Sequence, residues 1–180
     1  MHRLLEKYKK EIVPALMKEV GYKNNLAVPK LEKVIINVGT GKGLTDSKFN
    51  DVVENTLERI TGQKPVKVGA KKSISNFKIR QGALVGMIVT LRGRRMYDFV
   101  DKLINVTFPR VRDFRGISEK SVDPHGNLNV GFREHVAFPE IKSDEVEQIH
   151  GLQVSVVTTA RTKDEGLKLL KYLGFPFQKG

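Results

Sequence analysis

Cysteine is absent from the 180 residues. That excludes disulfides, thiolate metal sites and cysteine nucleophiles, and it fits a reducing compartment. No apolar run approaches the roughly 20 residues of a membrane span, and the N-terminus, Met1 to Lys10, has a charged, helical pattern unlike a signal peptide. A soluble, cytoplasmic protein with no membrane partner is therefore expected. Repeats, low-complexity tracts and linker-like segments are also missing, so one domain over residues 1–180 is expected, long enough to bury its own core. The most informative absence is local. Between Glu58 and Asp98 there is no acidic side chain across 39 residues, while Arg59, Lys64, Lys67, Lys71, Lys72, Lys78, Arg80, Arg92, Arg94 and Arg95 lie there.

That segment carries +10 of the +12 net charge, and the other residues nearly balance. The basicity is a localised footprint that calls for a phosphate-rich partner. An anionic membrane would want a basic amphipathic helix, and this run falls on strand-like and loop-like sequence.

Leu4, Leu5, Tyr8, Ile12, Val13, Leu16, Met17 and Val20 recur at three and four, predicting a helix over 3–20 that Pro14 kinks or splits and Gly21 ends. Leu31 to Val38 alternates, with Val34, Ile36 and Val38 on one face and Lys33, Ile35 and Asn37 on the other: a half-buried strand. A second helix, 46–61, carries a stripe of Phe49, Val52, Val53, Leu57 and Ile60 and stops at Gly62. Residues 64–70 and 83–92 read as a hairpin joined by the basic loop Lys71 to Gly82. A third helix, with Met96, Phe99, Val100, Leu103 and Ile104, is expected to end before Pro109. Short strands follow over 109–141, then a strand at 152–159 and a last helix opened by the capping box Thr162/Glu165 and ended at Gly174. The fold class is α+β: two layers, a largely antiparallel sheet with helices on one face, the other face open, and a protruding basic hairpin loop.

Within Lys71-Lys72-Ser73-Ile74-Ser75-Asn76-Phe77-Lys78-Ile79-Arg80, cations suit phosphates, Ser and Asn suit sugar or base edges, and Phe77 either stacks on a base or anchors its own loop. Other chemistries find little support. Gly39-Thr40-Gly41-Lys42-Gly43 lacks the hydroxyl that must follow a P-loop lysine, and Leu44 stands where a dinucleotide fingerprint needs glycine, so this is a plain turn. His2, His125, His135 and His150 are scattered without an i, i+4 ligand pair, and Asp98 and Asp101 suit surface pairing with Arg94, Arg95 and Lys102. No catalytic residue, metal, cofactor or small-molecule substrate is expected. The rival is an RNA-modifying or nucleotide-dependent enzyme, which would need converging acids or bases that the chain does not display.

Five stretches carry a family likeness: Pro29 to Asn37, Thr61-Gly62-Gln63-Lys64-Pro65, Ala70 to Phe77, Val89-Thr90-Leu91-Arg92-Gly93, and Leu103 to Gly116 with its Pro109-Arg110-Val111-Arg112-Asp113-Phe114-Arg115-Gly116. The chain resembles bacterial large-subunit ribosomal protein five, the 5S ribosomal RNA binder of the central protuberance, from Met1 through the Gly-Phe-Pro-Phe ending at Phe177. It departs at Ala83-Leu84-Val85-Gly86, where the family often has Met-Pro-Ile-Gly, and at Val122 to Gly126, where His125 stands in place of an Arg.

The resemblance implies a structural, non-enzymatic part of the large subunit. It implies 5S rRNA contacts by Lys30, Lys33, Ile35, Asn37, Gln63, Lys64, Thr90 and Arg92, and further contacts with large-subunit rRNA. A loop touching peptidyl-site transfer RNA would use Lys71, Lys72, Ser73, Ser75, Asn76, Phe77, Lys78 and Arg80. A bridge to a basic protein of the small-subunit head would use Arg110, Arg112, Asp113, Phe114, Arg115, Glu134, Glu140 and Asp144. The region 134–165 is acid-rich, which suits a basic protein.

Overall fold

The computed structural model describes residues 3–44, 46–142 and 148–178. Five strands, β1 (Leu31–Gly39), β2 (Val66–Gly69), β3 (Leu84–Leu91), β4 (Leu128–Phe132) and β5 (Leu152–Thr158), form one antiparallel sheet in the order β2-β3-β1-β5-β4. Helices α1 (Arg3–Lys7), α2 (Val13–Val20), α3 (Ser47–Thr61), α4 (Gly93–Lys102), α5 (Phe108–Arg110) and α6 (Lys163–Leu173) complete the α+β fold. The described residues cluster into two compact units, one of 1–34, 91–130 and 155–180 and one of 35–90 and 131–154.

In the first unit the apolar stripe of the N-terminal helix buries Leu4, Tyr8, Ile12 and Leu16, and α4 contributes Met96, Phe99 and Val100. Ahead of Pro14 the α-helix is interrupted, as expected, and then continues. A π turn, Tyr8–Ile12, closes with Val13 N–H on the Tyr8 carbonyl, and this wider ring precedes the residue that lacks an N–H and would crowd the carbonyl four back. The same arrangement corrects the expected end before Pro109: a π turn, Leu103–Thr107, carries the chain from α4 into α5, which includes Pro109. Gly126 and Gly166 meet backbone to backbone, so that a Cβ on Gly166 would collide with the Gly126 main chain. Thr162 Oγ1 accepts the Glu165 N–H at 3.3 Å, while the Glu165 carboxylate reaches back to the Arg161 N–H at 3.0 Å, one residue before the usual capping-box donor.

In the second unit α3 starts at Asp46, whose side chain accepts the Lys48 N–H, and ends on Gly62 at φ +65°. It buries Phe49, Val53, Leu57 and Ile60 together with Ile36 and Val38 of β1 and Met87 and Val89 of β3. β2 and β3 form the expected hairpin, trimmed to Val66–Gly69 and Leu84–Leu91, with Val66 opposite Ile88 and Val68 opposite Gly86. Its connection is itself built: Ile74 and Ile79 exchange both backbone hydrogen bonds, at 2.9 and 3.1 Å, around a 3₁₀ turn Ser75–Phe77, and Lys78 closes the tip at φ +53°.

Candidate RNA interface

Strand alternation settles which residues of the second unit stand away from α3. On β1, Ile36 and Val38 are buried while Ile35 and Asn37 are half-buried. On β3, Met87 and Val89 are buried while Ile88 and Thr90 are half-buried. The register brings Val66 and Val68 onto the face of Ile88 and Gly86. Thr40 N–H donates to Val85 O at 2.9 Å, and a Cβ on Gly86 would sit 3.3 Å from Val38 O and 3.9 Å from Asn37 Oδ1. Glycine thus leaves room beside the Asn37 amide. That amide and the Thr90 hydroxyl have no protein partner among the described residues. Gln63 is held in place: Thr61 Oγ1 donates to Leu57 O at 2.7 Å and accepts Gln63 N–H at 3.2 Å, and Gln63 Nε2 donates to Thr90 O at 3.3 Å. The result is an apolar sheet surface punctuated by an open amide, an open hydroxyl and a positioned amide, a donor and acceptor set suited to sugar and base edges.

The cations divide into held and open ones. Lys67 Nζ lies 2.7 Å and Lys64 Nζ 3.8 Å from the Glu54 carboxylate on α3, so Lys64 is drawn toward the helix side. The hydrogen bond from Lys67 holds the Glu54 carboxyl below its usual range and raises Lys67 in turn. In the first unit Glu32 sits 3.8 Å from both Lys33 Nζ and Arg92 Nη1, while Lys30 is fixed through its backbone, which donates to Thr159 Oγ1 and accepts Thr159 N–H. Lys71, Lys72, Lys78 and Arg80 on the hairpin loop are exposed and have no carboxylate partner among the described residues. Phe77 is 69% exposed at the tip. That decides against the anchoring role: the loop is closed by the Ile74–Ile79 pairing, by Gln81 N–H on Ser73 Oγ at 2.9 Å and by Gly82 N–H on Ala70 O at 2.9 Å, leaving Phe77 free.

Of the expected bridge residues, Arg110, Arg112, Asp113 and Arg115 are exposed and Phe114 is half-buried against Phe108. Glu134 is exposed, Glu140 is half-buried with its carbonyl accepting Arg59 Nη2 at 2.8 Å, and Asp144 lies outside the described residues. His125 is exposed in a turn whose Asp123 carboxylate accepts the His125 and Asn127 N–H groups at 2.9 and 2.8 Å. No group of three or more metal-ligating side chains occurs among the described residues.

Sequence reasoning missed one constellation. His135 and His150, 15 positions apart, stack with ring centroids 4.1 Å apart and planes 8° apart, and Phe49 meets His150 edge-on at 6.1 Å. His135 N–H donates to His150 O at 3.1 Å, and His150 N–H donates to His135 Nδ1 at 3.3 Å. Neither residue has a neighbour in sequence that signals the pairing; only tertiary contact creates it.

Two family models match the chain: ribosomal protein L5 over residues 24–80 and the ribosomal L5P family C-terminus over residues 84–177. The large ribosomal subunit protein uL5 of Halothermothrix orenii is 54% identical over 99% of this chain and 100% of its own length. That of Carboxydothermus hydrogenoformans is 50% identical over the same shares, and that of Anaeromyxobacter is 51% identical over 98% of each. Matches of this depth, running through both compact units from end to end, establish that the chain belongs to the ribosomal protein L5 family.

Proposed function

We propose that this chain binds 5S ribosomal RNA and helps to fasten it to the large ribosomal subunit. As a member of its family it is a structural, non-enzymatic, RNA-binding constituent of the large subunit, working on the cytoplasmic ribosome. The observation that carries the finer reading is the outward surface of β1 and β3, where the Asn37 amide and Thr90 hydroxyl lack protein partners among the described residues and Gln63 is braced on the Thr90 carbonyl. A-form RNA offers a wide, shallow minor groove lined with 2′-hydroxyls and base edges, which such groups can reach while flat apolar residues such as Ile35 pack against riboses. Lys30, Lys33, Lys64 and Arg92 then supply phosphate contacts, with Glu32 and Glu54 exchanged for RNA as the complex forms.

The hairpin tip reaches a second RNA, transfer RNA in the peptidyl site, with Lys71, Lys72, Lys78 and Arg80 on phosphates, Ser73, Ser75 and Asn76 on sugars, and Phe77 stacking. Glu134 and Glu140, with Asp144, face a basic protein of the small-subunit head. The exposed turn with Arg110, Arg112, Asp113, Phe114 and Arg115 serves the same bridge.

Asn37→Ala and Gln63→Ala should each weaken 5S rRNA binding by roughly 1–3 kcal/mol, the range for removing one partner of a specific hydrogen bond. The change should appear with the salt dependence unaltered, since neither side chain neutralises a phosphate. Unchanged 5S rRNA affinity in both variants at fixed salt would remove the sheet from the binding site.

A further inference from the structure

The stacked imidazoles of the second unit adjoin one of the proposed bridge acids. His135 follows exposed Glu134 directly; its N–H donates to the His150 carbonyl at 3.1 Å, and its own carbonyl accepts the Phe138 N–H at 3.1 Å. The two histidines are 2% and 6% exposed, so the rings meet out of water. Phe49 of α3 touches His150 edge-on, and Gln148, two residues earlier, donates to the Asp46 carboxylate that caps α3 at 2.9 Å. Glu140 has other supports. Its carbonyl accepts Arg59 from the last turn of α3, Phe138 is buried against Phe132, and Ile141 N–H returns to Phe138 O at 3.2 Å. Glu134 is carried by the histidine pair.

We infer, on the reading of Glu134 as a bridge residue, that the His135–His150 pair is a proton-sensitive clasp that positions it: neutral and stacked, the pair holds residues 134–135 against the chain entering β5, and protonated it parts and frees Glu134. An imidazolium carries a proton on both ring nitrogens. His150 Nε2 is buried with no hydrogen-bond partner among the described residues, so a proton there would be left unpaired. Charging either ring also takes a cation out of water, and charging both sets two cations face to face across 4.1 Å. Among the charged groups nearby, Glu134 favours a proton on His135, while on α3 the Asp46 carboxylate is turned to Gln148 and to the Lys48 N–H. On the His150 side the Gly151 carbonyl is the group that would welcome a proton, and burial outweighs it. The closed clasp therefore excludes protons that the open one accepts, and its hold is complete above about pH 6.5 and weakens as pH falls.

The test follows backbone amide exchange by NMR in the full chain at pH 7 and pH 5, with each rate corrected for the intrinsic pH dependence of exchange. The His135 and Phe138 amides should exchange through a local opening that low urea does not accelerate, and faster than Thr40, which is bonded to Val85 across the sheet. With His150 refusing its proton until about 4 when closed and accepting it near pH 6.5 when open, that opening should become about 20-fold more frequent at pH 5. H150F keeps a ring against His135 but takes no proton, so the rise should fall to the part that His135 supplies; H150Q gives the same comparison should Phe not be accommodated. Subunit association should weaken less on acidification with H150F than with wild type, and E134Q should abolish that difference. Exchange of His135 and Phe138 only together with Thr40, or an equal rise in wild type and variant, would overturn the clasp. Identical pH profiles of association would overturn its positioning of Glu134. Wild-type association of E134K at pH 7.5 would instead remove Glu134 from the bridge, so the two readings fail separately.

Discussion

His135 and His150 show how a pair of side chains acquires a property neither has alone. Burial pushes the His150 imidazole down to about 4, with the neighbouring His135 adding to the effect, and burial lowers His135 as well. Geometry supplies the cause, since the two rings stack out of water, where a second positive charge beside the first is costly. In the unfolded chain a histidine takes its proton near pH 6.5, whereas folded His150 resists until about 4. The unfolded state therefore binds more protons in that window. The stabilisation is complete above pH 6.5 and is lost as pH falls toward 4. The expected loss is on the order of 2–3 kcal/mol from this residue. It should register as a fall in urea midpoint between pH 7 and 4.5 that is clearly shallower in His150→Asn. Carboxylates such as Asp46, whose hydrogen bond from Gln148 keeps it low, lose stability in the same direction. The comparison with the variant isolates the histidine, and an identical pH dependence in the two proteins would dismiss the pair.

At the scale of elements, two proline-containing helices use one solution. A π turn ahead of Pro14 and another ahead of Pro109 widen the ladder where a ring would otherwise strike a carbonyl, so each helix continues. The β2–β3 hairpin shows the opposite strategy: a short, regular base and a tip that folds upon itself through Ile74 and Ile79. Because that tip is closed by its own backbone, its removal should be tolerated by the rest of the second unit. Replacing Lys71–Arg80 by a short glycine-containing turn is expected to leave 5S rRNA affinity within about twofold, while transfer RNA retention on assembled ribosomes falls. Nitrocellulose binding and peptidyl-site occupancy would report the two effects separately. Loss of 5S rRNA binding in a folded deletion variant would refute the division of labour.

At the scale of the whole molecule, charges of the two signs are concentrated in different segments. Open cations gather on the hairpin tip and on the Arg110–Arg115 turn, while Glu134 and Glu140 belong to the acid-rich segment. A contact of acids with a basic small-subunit protein that survives subunit rotation should be small, polar and sensitive to salt. Reversing Glu140 and Asp144 to Lys is therefore expected to weaken subunit association most at low magnesium and to leave 5S rRNA binding as it was. Light scattering across a magnesium titration would show it, and wild-type association of the double variant would remove the acids from the bridge.

The amino-acid sequence alone determined whatever depends on near neighbours. The period of two from Leu31 to Val38 settled which β1 residues are buried, Gly62 and Gly174 ended their helices in the left-handed conformation only glycine takes cheaply, and the acid-free run gathered ten cations into one segment. Tertiary structure decided what depends on residues far apart in the chain. Glu54 turns Lys64 and Lys67 toward the helix side, the Gly126–Gly166 approach leaves no room for a Cβ, and the imidazoles of His135 and His150 meet. The continuation of a helix through Pro109 was hidden for a related reason. A π turn adds one residue without disturbing the apolar spacing on either side, and the packing of Leu103 and Phe108 into the core, not local propensity, holds it in place.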